Sequence, residues 1–392
     1  MKTSTKIVSV AVAVTAATAS LPGTAVARPP AAAAVLQRDA DAMLKYGAPG
    51  VLAELETPRG EVRVRSGYGN VEAGTPVPWN AKFRIASFTK TFVATTALQL
   101  VGEGRLSLDD TVERWLPGVV RGNGNDGRRI TVRQLLQHTS GLPDYLGGMP
   151  DLFTEDGFQR LRYQTVTQQQ AVALAVGQKS EFPPGRKWSY SNTNYLLAGL
   201  IIERVTGHSW QHEVQQRIIK PLRLTDTYTP GTRRTIPNPH AIGYERFPDA
   251  SGEYGDPIDA TELNPSFGGA AGEIISTTDD GNRFLRALLG GRLLRPAQLA
   301  EMKRTVPTDD NFRQNWPGAR YGLGLMWVPN DCGGAWSHGG DIMGFMTRNG
   351  VTGDGARSVL VSINTDSPVP GPGVPPSPTD ISIPLINHAL CG

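Results

Sequence analysis

The sequence Phe-Arg-Ile-Ala-Ser-Phe-Thr-Lys, residues 83–90, decides how the rest of the chain is expected to fold. Ser87 and Lys90 are three residues apart, so on a helix their side chains share one face and can meet. The Gly-Glu-Gly sequence at 102–104 is a helix stop signal. Apolar residues keep the helical spacing up to that point, at Phe88, Phe92, Ala94, Ala97, Leu98 and Val101. Because an ammonium group in an apolar setting is costly unless it has a task, we predict that Lys90 activates Ser87 as a nucleophile.

The first 27 residues have the pattern of a secretory signal peptide. Lys2 and Lys6 give a basic start, residues 7–17 form a short apolar core, and Ala25-Val26-Ala27 is a small-residue cleavage site. The apolar core is too short to span a bilayer, and no later segment is long enough. The pattern predicts a secreted protein without a stable membrane anchor.

The charge of the chain gives no argument for a nucleic-acid partner. The formal charge is +3 at pH 7 and falls to +1 when the two lysines of the leader are removed. No basic run is present. The two cysteines, Cys332 and Cys391, lie outside the leader, and in an exported protein such a pair is most simply a disulfide. Two free buried thiols are the alternative.

The N-terminal part of the mature chain predicts a helix followed by a hairpin. The helix is expected at 28–45. Two strands with alternating apolar and polar residues, 51–55 and 61–65, then flank the turn Pro58-Arg59-Gly60. The middle of the chain is mostly helical with Pro and Gly breaks, and it includes a strongly apolar helix from Tyr195 to Val205.

The C-terminal part returns to strands after a helix near 279–290. Strand candidates lie at 321–328, 335–338, 343–347 and 358–364, and a last helix ends near Cys391. We predict an α+β fold over residues 28–392, with one antiparallel sheet formed from the N- and C-terminal segments (28–104 and 272–392) and flanked by helices. A mostly helical region (105–271) is inserted between them, with a cleft where the two regions meet.

Two further short motifs carry side chains that can do chemistry. Tyr190-Ser191-Asn192 lies between the turn at 183–185 and the apolar helix, which places a phenol and a carboxamide on a loop. His338-Gly339-Gly340 follows a short apolar strand, and its two glycines would let a ligand approach the backbone closely. Taken singly, such residues are more often a packed aromatic ring, a turn residue and a histidine with satisfied hydrogen bonds.

The order Ser-x-x-Lys, Tyr-x-Asn, His-x-Gly resembles that of the serine penicillin-recognising enzymes. Three longer stretches, 135–142, 190–195 and 321–325, look like sequences common in the class C β-lactamase branch. From about residue 35 to the final cysteine, the chain is similar above all to the secreted Streptomyces-type D-alanyl-D-alanine carboxypeptidases. The resemblance implies the α/β sandwich of the β-lactamase/transpeptidase-like fold, a small peptide or peptidoglycan-derived substrate, β-lactams as further ligands, and no cofactor or metal.

The resemblance also implies roles for the residues of the three motifs. Ser87 would attack a carbonyl carbon and form an acyl-enzyme. Either Lys90, with a lowered pKa, or Tyr190, as phenolate, would be the base. Asn192 would hydrogen-bond the substrate amide, and His338 would face Tyr190 across the cleft and help to carry its proton.

The oxyanion hole implied by the resemblance consists of the backbone N–H groups of Ser87 and Asp341. Gly339 and Gly340 would contact the substrate between these two points. The stretch from His138 to Gly141 is interpreted as a loop that shapes the edge of the cleft.

Two positions depart from the carboxypeptidase pattern. Gly339 stands where the family usually has Thr, and the strand at 325–328 carries no Lys or Arg to hold a substrate carboxylate. Asp341 adds a negative charge beside the expected oxyanion hole, and like charges repel. Overall similarity still makes a D-alanyl-D-alanine carboxypeptidase-like serine hydrolase, acting on peptides with D-residues, the leading function. A D-stereospecific aminopeptidase or an esterase of the same superfamily stays open.

A binding protein from a different functional class is also open. Such a protein would sense β-lactams or peptidoglycan fragments through Ser87 and deacylate slowly. A zinc helix is not supported, since His212-Glu213 is followed by Gln216 and the two-histidine motif is incomplete. The protein is expected to be a monomer.

Overall fold

The computed structural model describes Met1 and residues 31–392 of this protein. The predicted signal peptide, Met1 apart, lies outside the described residues. The helices are α1 (Ala31–Leu44), α2 (Thr89–Gly102), α3 (Val112–Trp115), α4 (Val132–Leu136), α5 (Glu155–Leu161), α6 (Gln168–Val176), α7 (Thr193–Thr206), α8 (Trp210–Val214), α9 (Lys220–Leu222), α10 (Gly269–Gly272), α11 (Thr278–Leu289), α12 (Pro296–Met302), α13 (Asp310–Asn315) and α14 (Ile383–Cys391).

The strands lie mainly near the two ends of the chain. They are β1 (Gly50–Thr57), β2 (Gly60–Gly67), β3 (Phe83–Arg84), β4 (Arg121–Gly122), β5 (Asn125–Asp126), β6 (Tyr244–Glu245), β7 (Ile258–Asp259), β8 (Ile275–Ser276), β9 (Val306–Pro307), β10 (Arg320–Tyr321), β11 (Met326–Val328), β12 (Ala335–Ser337), β13 (Gly340–Ile342), β14 (Phe345–Val351) and β15 (Ser358–Ile363).

Within the described residues, nine of these strands form one antiparallel sheet in the order β2-β1-β15-β14-β12-β11-β10-β9, with β13 paired to β14. The N-terminal hairpin β1–β2 therefore docks on the C-terminal strand β15, where Val51 pairs with Ile363. The predicted α+β fold, with its sheet built from both ends of the chain, is confirmed.

Alternation along β15 gives the sheet two buried faces, because successive side chains of a strand point to opposite sides. Val359 and Val361 belong to the same apolar cluster as Leu36 of α1 and Leu385 of α14. Leu360 belongs instead to the larger cluster that includes α11 and the helices behind it, α2 and α7. Helix α2 is thus buried on nearly all sides, and Ser87 lies in the short 3-10 turn directly before it.

Two of the strand expectations are wrong in detail. The predicted strand 321–328 is interrupted, because Gly324 has φ +73° and the segment turns back, which separates β10 from β11. The predicted strand 343–347 begins later, at Phe345, because Gly344 with φ +82° ends a tight hairpin. The first strand of that hairpin, β13, carries Asp341 and was not predicted.

Candidate active site

The turn before α2 presents Ser87 at the surface of an otherwise buried segment. Strand β3 pairs with β8, and the N–H of Ile85 donates to the carbonyl oxygen of Ile274. Ala86 then adopts φ +48°, a left-handed conformation that is costly for a residue with a Cβ. From residue 83 to residue 90, Ser87 is the one residue that is not fully buried. The strained turn therefore lifts this hydroxyl out of the core.

Lys90 is completely buried, and its ammonium group has three hydrogen-bond acceptors. Its Nζ lies 2.9 Å from Ser87 Oγ, 2.7 Å from Asn192 Oδ1 and 2.7 Å from the carbonyl oxygen of Ala271. Burial lowers the pKa of Lys90 to about 7, and the negative charges of Asp144 and Asp341 only partly oppose this. A large fraction of Lys90 is therefore neutral near pH 7 and can accept a proton from Ser87.

Asn192 is held by the carboxylate of Asp144, a residue outside the three sequence motifs. Asp144 Oδ2 accepts hydrogen bonds from the backbone N and from Nδ2 of Asn192, at 3.0 and 2.8 Å. Because Nδ2 faces the carboxylate, Oδ1 must face Lys90. Asp144 directly precedes a 3-10 turn, and its Oδ1 accepts from the N–H of Leu146. The sequence signal for Asp144 is its position as an acidic residue that can cap the start of a turn.

Tyr190 lies beside both of these groups. Its ring centroid is 5.0 Å from Lys90 Nζ. Burial raises the pKa of Tyr190 well above its usual value, and a hydrogen bond with the side chain of Ser87 opposes this shift. The phenol is therefore neutral near pH 7. Of the two candidate bases, Lys90 has the favourable pKa.

His138 supports Tyr190 from behind instead of shaping an exposed edge of the cleft. The two rings stack with centroids 4.3 Å apart and planes inclined by 29°. His138 is fully buried with φ +59°, and its Nδ1 accepts a hydrogen bond from the backbone N of Ser191 at 3.2 Å. Burial lowers its pKa well below the usual value, so the ring is neutral. His138 therefore has a structural role in this loop, packed against Tyr190.

His338 lies close to Tyr190, with ring centroids 6.4 Å apart, but its two nitrogens are engaged elsewhere. Nε2 is 2.8 Å from the hydroxyl of Tyr321, and Nδ1 is 2.7 Å from the carbonyl oxygen of Gly339. Burial and the charge of Lys90 lower the pKa of His338 to about 3. Its expected part in carrying the proton of Tyr190 remains a prediction, and these bonds argue against it.

Strand β13 lies directly against the turn that carries the nucleophile. A Cβ added to Gly340 would lie 2.2 Å from the carbonyl oxygen of Ile85 and 2.7 Å from the N of Ser87. Gly340 therefore admits the protein's own backbone, whereas a ligand contact was expected there. Gly339 and Asp341 line the cleft.

Asp341 is paired with Arg348, a residue outside the three sequence motifs. The guanidinium group of Arg348 bridges Asp341 and Asp380, with an N–O distance of 2.6 Å to each. The Arg348 side chain is 8% exposed, whereas that of Asp341 is 52% exposed. Burial and the neighbouring carboxylates of Asp341 and Glu245 also raise the pKa of nearby Asp366. Two carboxylates therefore share the charge of Arg348, and of the two only that of Asp341 lines the cleft.

The cleft that these residues enclose has a volume of about 330 Å³. Its walls combine the polar groups described above with apolar side chains. The lining residues are Ser87, Tyr190, Asn192, Phe312, Trp316, Tyr321, Met326, His338, Gly339, Asp341 and Arg348. A larger depression of about 780 Å³ lies between α1 and β2 and contains none of them. The structure thus brings together the alcohol of Ser87, the amine of Lys90, the phenol of Tyr190 and the imidazole of His338, beside apolar side chains.

The family model for Beta-lactamase matches residues 22–376 of this sequence. The chain belongs to the beta-lactamase family. With the fold and the three motifs described above, it is a serine hydrolase of the superfamily that unites β-lactamases and penicillin-binding proteins.

Two solved structures are similar over most of the chain. A D-stereospecific amidohydrolase from a Streptomyces species is 43% identical, with a TM-score of 0.78 over 85% of this chain and 94% of that chain. The D-amino acid amidase from Ochrobactrum anthropi SV3, in complex with L-phenylalanine amide, is 30% identical, with a TM-score of 0.76 over 91% of this chain and 97% of that one.

Curated relatives match over shorter lengths. Penicillin-binding protein 4* from Bacillus subtilis is 33% identical over 161 residues, which is 41% of this chain and 33% of that protein. The chain thus spans about a third of the length of the curated relatives that it matches. Among residues 31–392, no helix is long and apolar enough to cross a membrane. The expected disulfide between Cys332 and Cys391 is present.

Proposed function

We propose that this protein hydrolyses amides of D-amino acids that carry a free α-ammonium group, through an acyl-enzyme on Ser87. The observation that carries the proposal is the exposed carboxylate of Asp341 in the cleft, beside an arginine whose charge is shared between two carboxylates. An ammonium group is favoured there and a substrate carboxylate is repelled. The similarity to a D-stereospecific amidohydrolase and a D-amino acid amidase supports the same substrate class.

The proposed reaction begins with neutral Lys90 as base. Lys90 accepts the hydroxyl proton of Ser87 while Oγ forms a bond to the carbonyl carbon of the amide. The C–N bond then breaks, and the leaving amine takes up this proton from Lys90, either directly or through the phenol of Tyr190. Water hydrolyses the remaining ester with the same base, which releases the acid and restores Ser87.

The oxyanion is proposed to be held by the backbone N–H groups of Ser87 and Asp341. The close approach of β13 to the turn at Ser87 supports this assignment, because it brings the two backbone segments to one point. Such donors act on charge that develops in the transition state, and each typically contributes about 10²–10³ in rate. The carboxylate of Asp341 is paired with Arg348, which reduces its repulsion of an oxyanion.

The apolar wall is proposed to take the side chain of the substrate. Phe312, Trp316, Tyr321 and Met326 contribute the apolar surface of the cleft lining. A substrate with an aromatic or large aliphatic side chain would bury that surface there, at about 25 cal/mol per Å². D-phenylalanine amide is therefore the first substrate to test.

A carboxypeptidase is the second candidate, and Arg348 is the observation that favours it. This guanidinium lines the cleft and supplies a cation that strand 325–328 lacks. A terminal carboxylate could bind it only by competing with Asp341 and Asp380.

We also propose that the protein is exported, with the disulfide as support, and that it acts as a monomer.

A panel of matched substrates tests the proposal. We expect turnover of D-phenylalanine amide, with kcat/KM at least tenfold lower for its N-acetyl derivative and for peptides ending in D-Ala-D-Ala. Asp341→Asn should lower kcat/KM for the free amine about 10- to 100-fold and leave the N-acetyl compound unaffected, because a charge-assisted hydrogen bond is lost. Asp380→Asn is the matched control, since it also removes a partner of Arg348 but leaves the cleft carboxylate. A preference for the carboxylate-terminated peptide would establish the carboxypeptidase instead.

Labelling with a fluorescent penicillin separates the enzyme from a sensor. An enzyme should turn over the amide, and Ser87→Ala should abolish both turnover and labelling. Stable labelling of Ser87 without hydrolysis of any amide, peptide or ester would support the slowly deacylating sensor. Full hydrolytic activity in Ser87→Ala would refute both covalent mechanisms.

A further inference from the structure

Three side chains outside the cleft form a cluster of metal-binding atoms. Ligand atoms of His208, His212 and Glu213 all lie within 4.8 Å of one another. Helix α7 ends at Thr206, its C-cap Gly207 has φ +79°, and Ser209 caps the start of α8. This tight connection brings His208 beside the first turn of α8. The two-histidine zinc motif is incomplete because Gln216 stands where a histidine would follow Glu213. In this cluster the second histidine, His208, comes before His212 instead.

The two imidazoles are open to solvent. Their ring centroids are 4.7 Å apart, and both side chains are exposed. In the described part of the chain, the hydrogen bonds of these two histidines are made by backbone atoms, with Thr206 and Ser209 as partners. Their ring nitrogens are therefore available to a ligand. These three hydrogen bonds also fix the backbone positions of the two histidines.

Glu213 gives the cluster a fixed acidic member. Its side chain is 8% exposed, and one carboxylate oxygen accepts a hydrogen bond from Arg217 Nε at 2.5 Å. Arg217 also pairs with Glu103 at the end of α2, so its charge is shared between two carboxylates. Within residues 31–392, no hydrogen bond uses the other oxygen of Glu213, and this oxygen is free to bind a cation.

We propose that His208, His212 and Glu213 bind a divalent transition-metal ion, with Zn²⁺ as the representative. Imidazole nitrogen suits Zn²⁺, Ni²⁺ and Cu²⁺, whereas Mg²⁺ and Ca²⁺ need a shell of oxygen ligands. Two nitrogens and one oxygen leave the remaining coordination positions to water. The bound ion would cross-link the α7–α8 connection, through His208, to α8 and stabilise it, because the ion binds the folded chain and the site does not exist in the unfolded one.

Titration of the intact, EDTA-treated protein tests this proposal without any assay of hydrolysis. By isothermal titration calorimetry we expect saturable binding of one Zn²⁺ per chain, no binding of Mg²⁺, and a rise in Tm of a few degrees at 100 times the Kd. His208→Ala and His212→Ala should each weaken Zn²⁺ binding at least tenfold. Both residues are exposed, so these variants should fold normally. His240→Ala is the matched control, a half-buried histidine on another loop, and should bind Zn²⁺ like the wild type.

The contribution of the carboxylate is tested by Glu213→Gln, which should weaken Zn²⁺ binding while both histidines remain. Unchanged affinity in this variant would contradict the three-ligand site. Zinc binding that survives in both His208→Ala and His212→Ala, or that is not saturable, would overturn the proposal and show an adventitious ion only.

Discussion

The hydroxyl of Tyr321 donates a hydrogen bond to Nε2 of His338, with the two atoms 2.8 Å apart. The direction of this bond follows from the other ring nitrogen, because Nδ1 faces the carbonyl oxygen of Gly339, which can only accept. Nδ1 therefore carries the proton. With both nitrogens engaged and its pKa lowered to about 3, His338 is suited to holding the Gly339 backbone in place and poorly suited to accepting a proton.

Tyr321→Phe tests this interpretation of His338. Loss of the hydroxyl leaves Nε2 without its donor and frees the ring to turn away from Gly339, so kcat should fall about tenfold (about 1.4 kcal/mol) with KM nearly unchanged. Steady-state kinetics on an aryl ester measures both constants. Tyr145→Phe is the control, because that buried hydroxyl donates to Phe267 and does not touch His338. Equal losses in the two variants would mean that the bond has no specific part in catalysis.

His138→Asn tests the support behind Tyr190. Asn tolerates the positive φ of this position and keeps an oxygen that can accept from Ser191, but it removes the stacked ring. Aromatic stacking contributes about 0.5–1.5 kcal/mol beyond area burial, so we expect a Tm lower by a few degrees and a several-fold drop in kcat at a temperature where the variant is folded. A lower Tm with wild-type kcat would limit His138 to a structural role.

The pH dependence of hydrolysis should report Lys90. The neutral amine is the proposed base, and its pKa is lowered to about 7, so kcat/KM should fall tenfold per pH unit below 7 and level off above it. The substrate should be an aryl ester without an ionisable group, so that its own ionisation does not contribute to the pH dependence. Because burial raises the pKa of Tyr190, ionisation of this phenol cannot cause a loss of kcat/KM near neutral pH. His338→Asn should keep the limb near pH 7. Its disappearance in that variant would assign the limb to His338 instead.

The two glycines after His338 should differ sharply in their tolerance of a side chain. Gly340→Ala places a Cβ 2.2 Å from the carbonyl oxygen of Ile85, which must push β13 away from Ser87. We expect kcat to fall at least about 100-fold, as for the loss of an oxyanion donor. Gly339→Ala meets its nearest atom at 3.1 Å and should retain most activity. The reverse order of activities would contradict the assigned positions.

The disulfide between Cys332 and Cys391 should stabilise the attachment of α14 to the sheet. The cysteines are 59 residues apart, and closing a loop of this length in the unfolded chain is worth about 4 kcal/mol in the chain-entropy model. The double variant Cys332→Ala/Cys391→Ala should therefore unfold at a clearly lower urea concentration than the wild type. Circular dichroism measures the change, with kcat at 25 °C as the control, since neither cysteine lines the cleft. An unchanged urea midpoint would contradict this prediction.

The sequence by itself determined the features that depend on local pattern. The spacing of apolar residues after Ser87 predicted the buried helix α2, alternation at 51–65 predicted the hairpin, and the three short motifs predicted which side chains would meet. Local periodicity follows from backbone geometry, so it can be read from neighbouring residues. The strand β13 could not be predicted in this way, because a segment of three residues is too short to show a period.

Only the tertiary structure decided the electrostatics and the support of the cleft. Asp144 reaches Asn192, His138 lies under Tyr190, and Arg348 joins Asp341 to Asp380 only when distant segments pack together. The lowered pKa of Lys90 has the same origin, since it is caused by burial among helices that come from separate parts of the chain. Contact and desolvation are properties of the packed molecule, and a one-dimensional pattern contains neither.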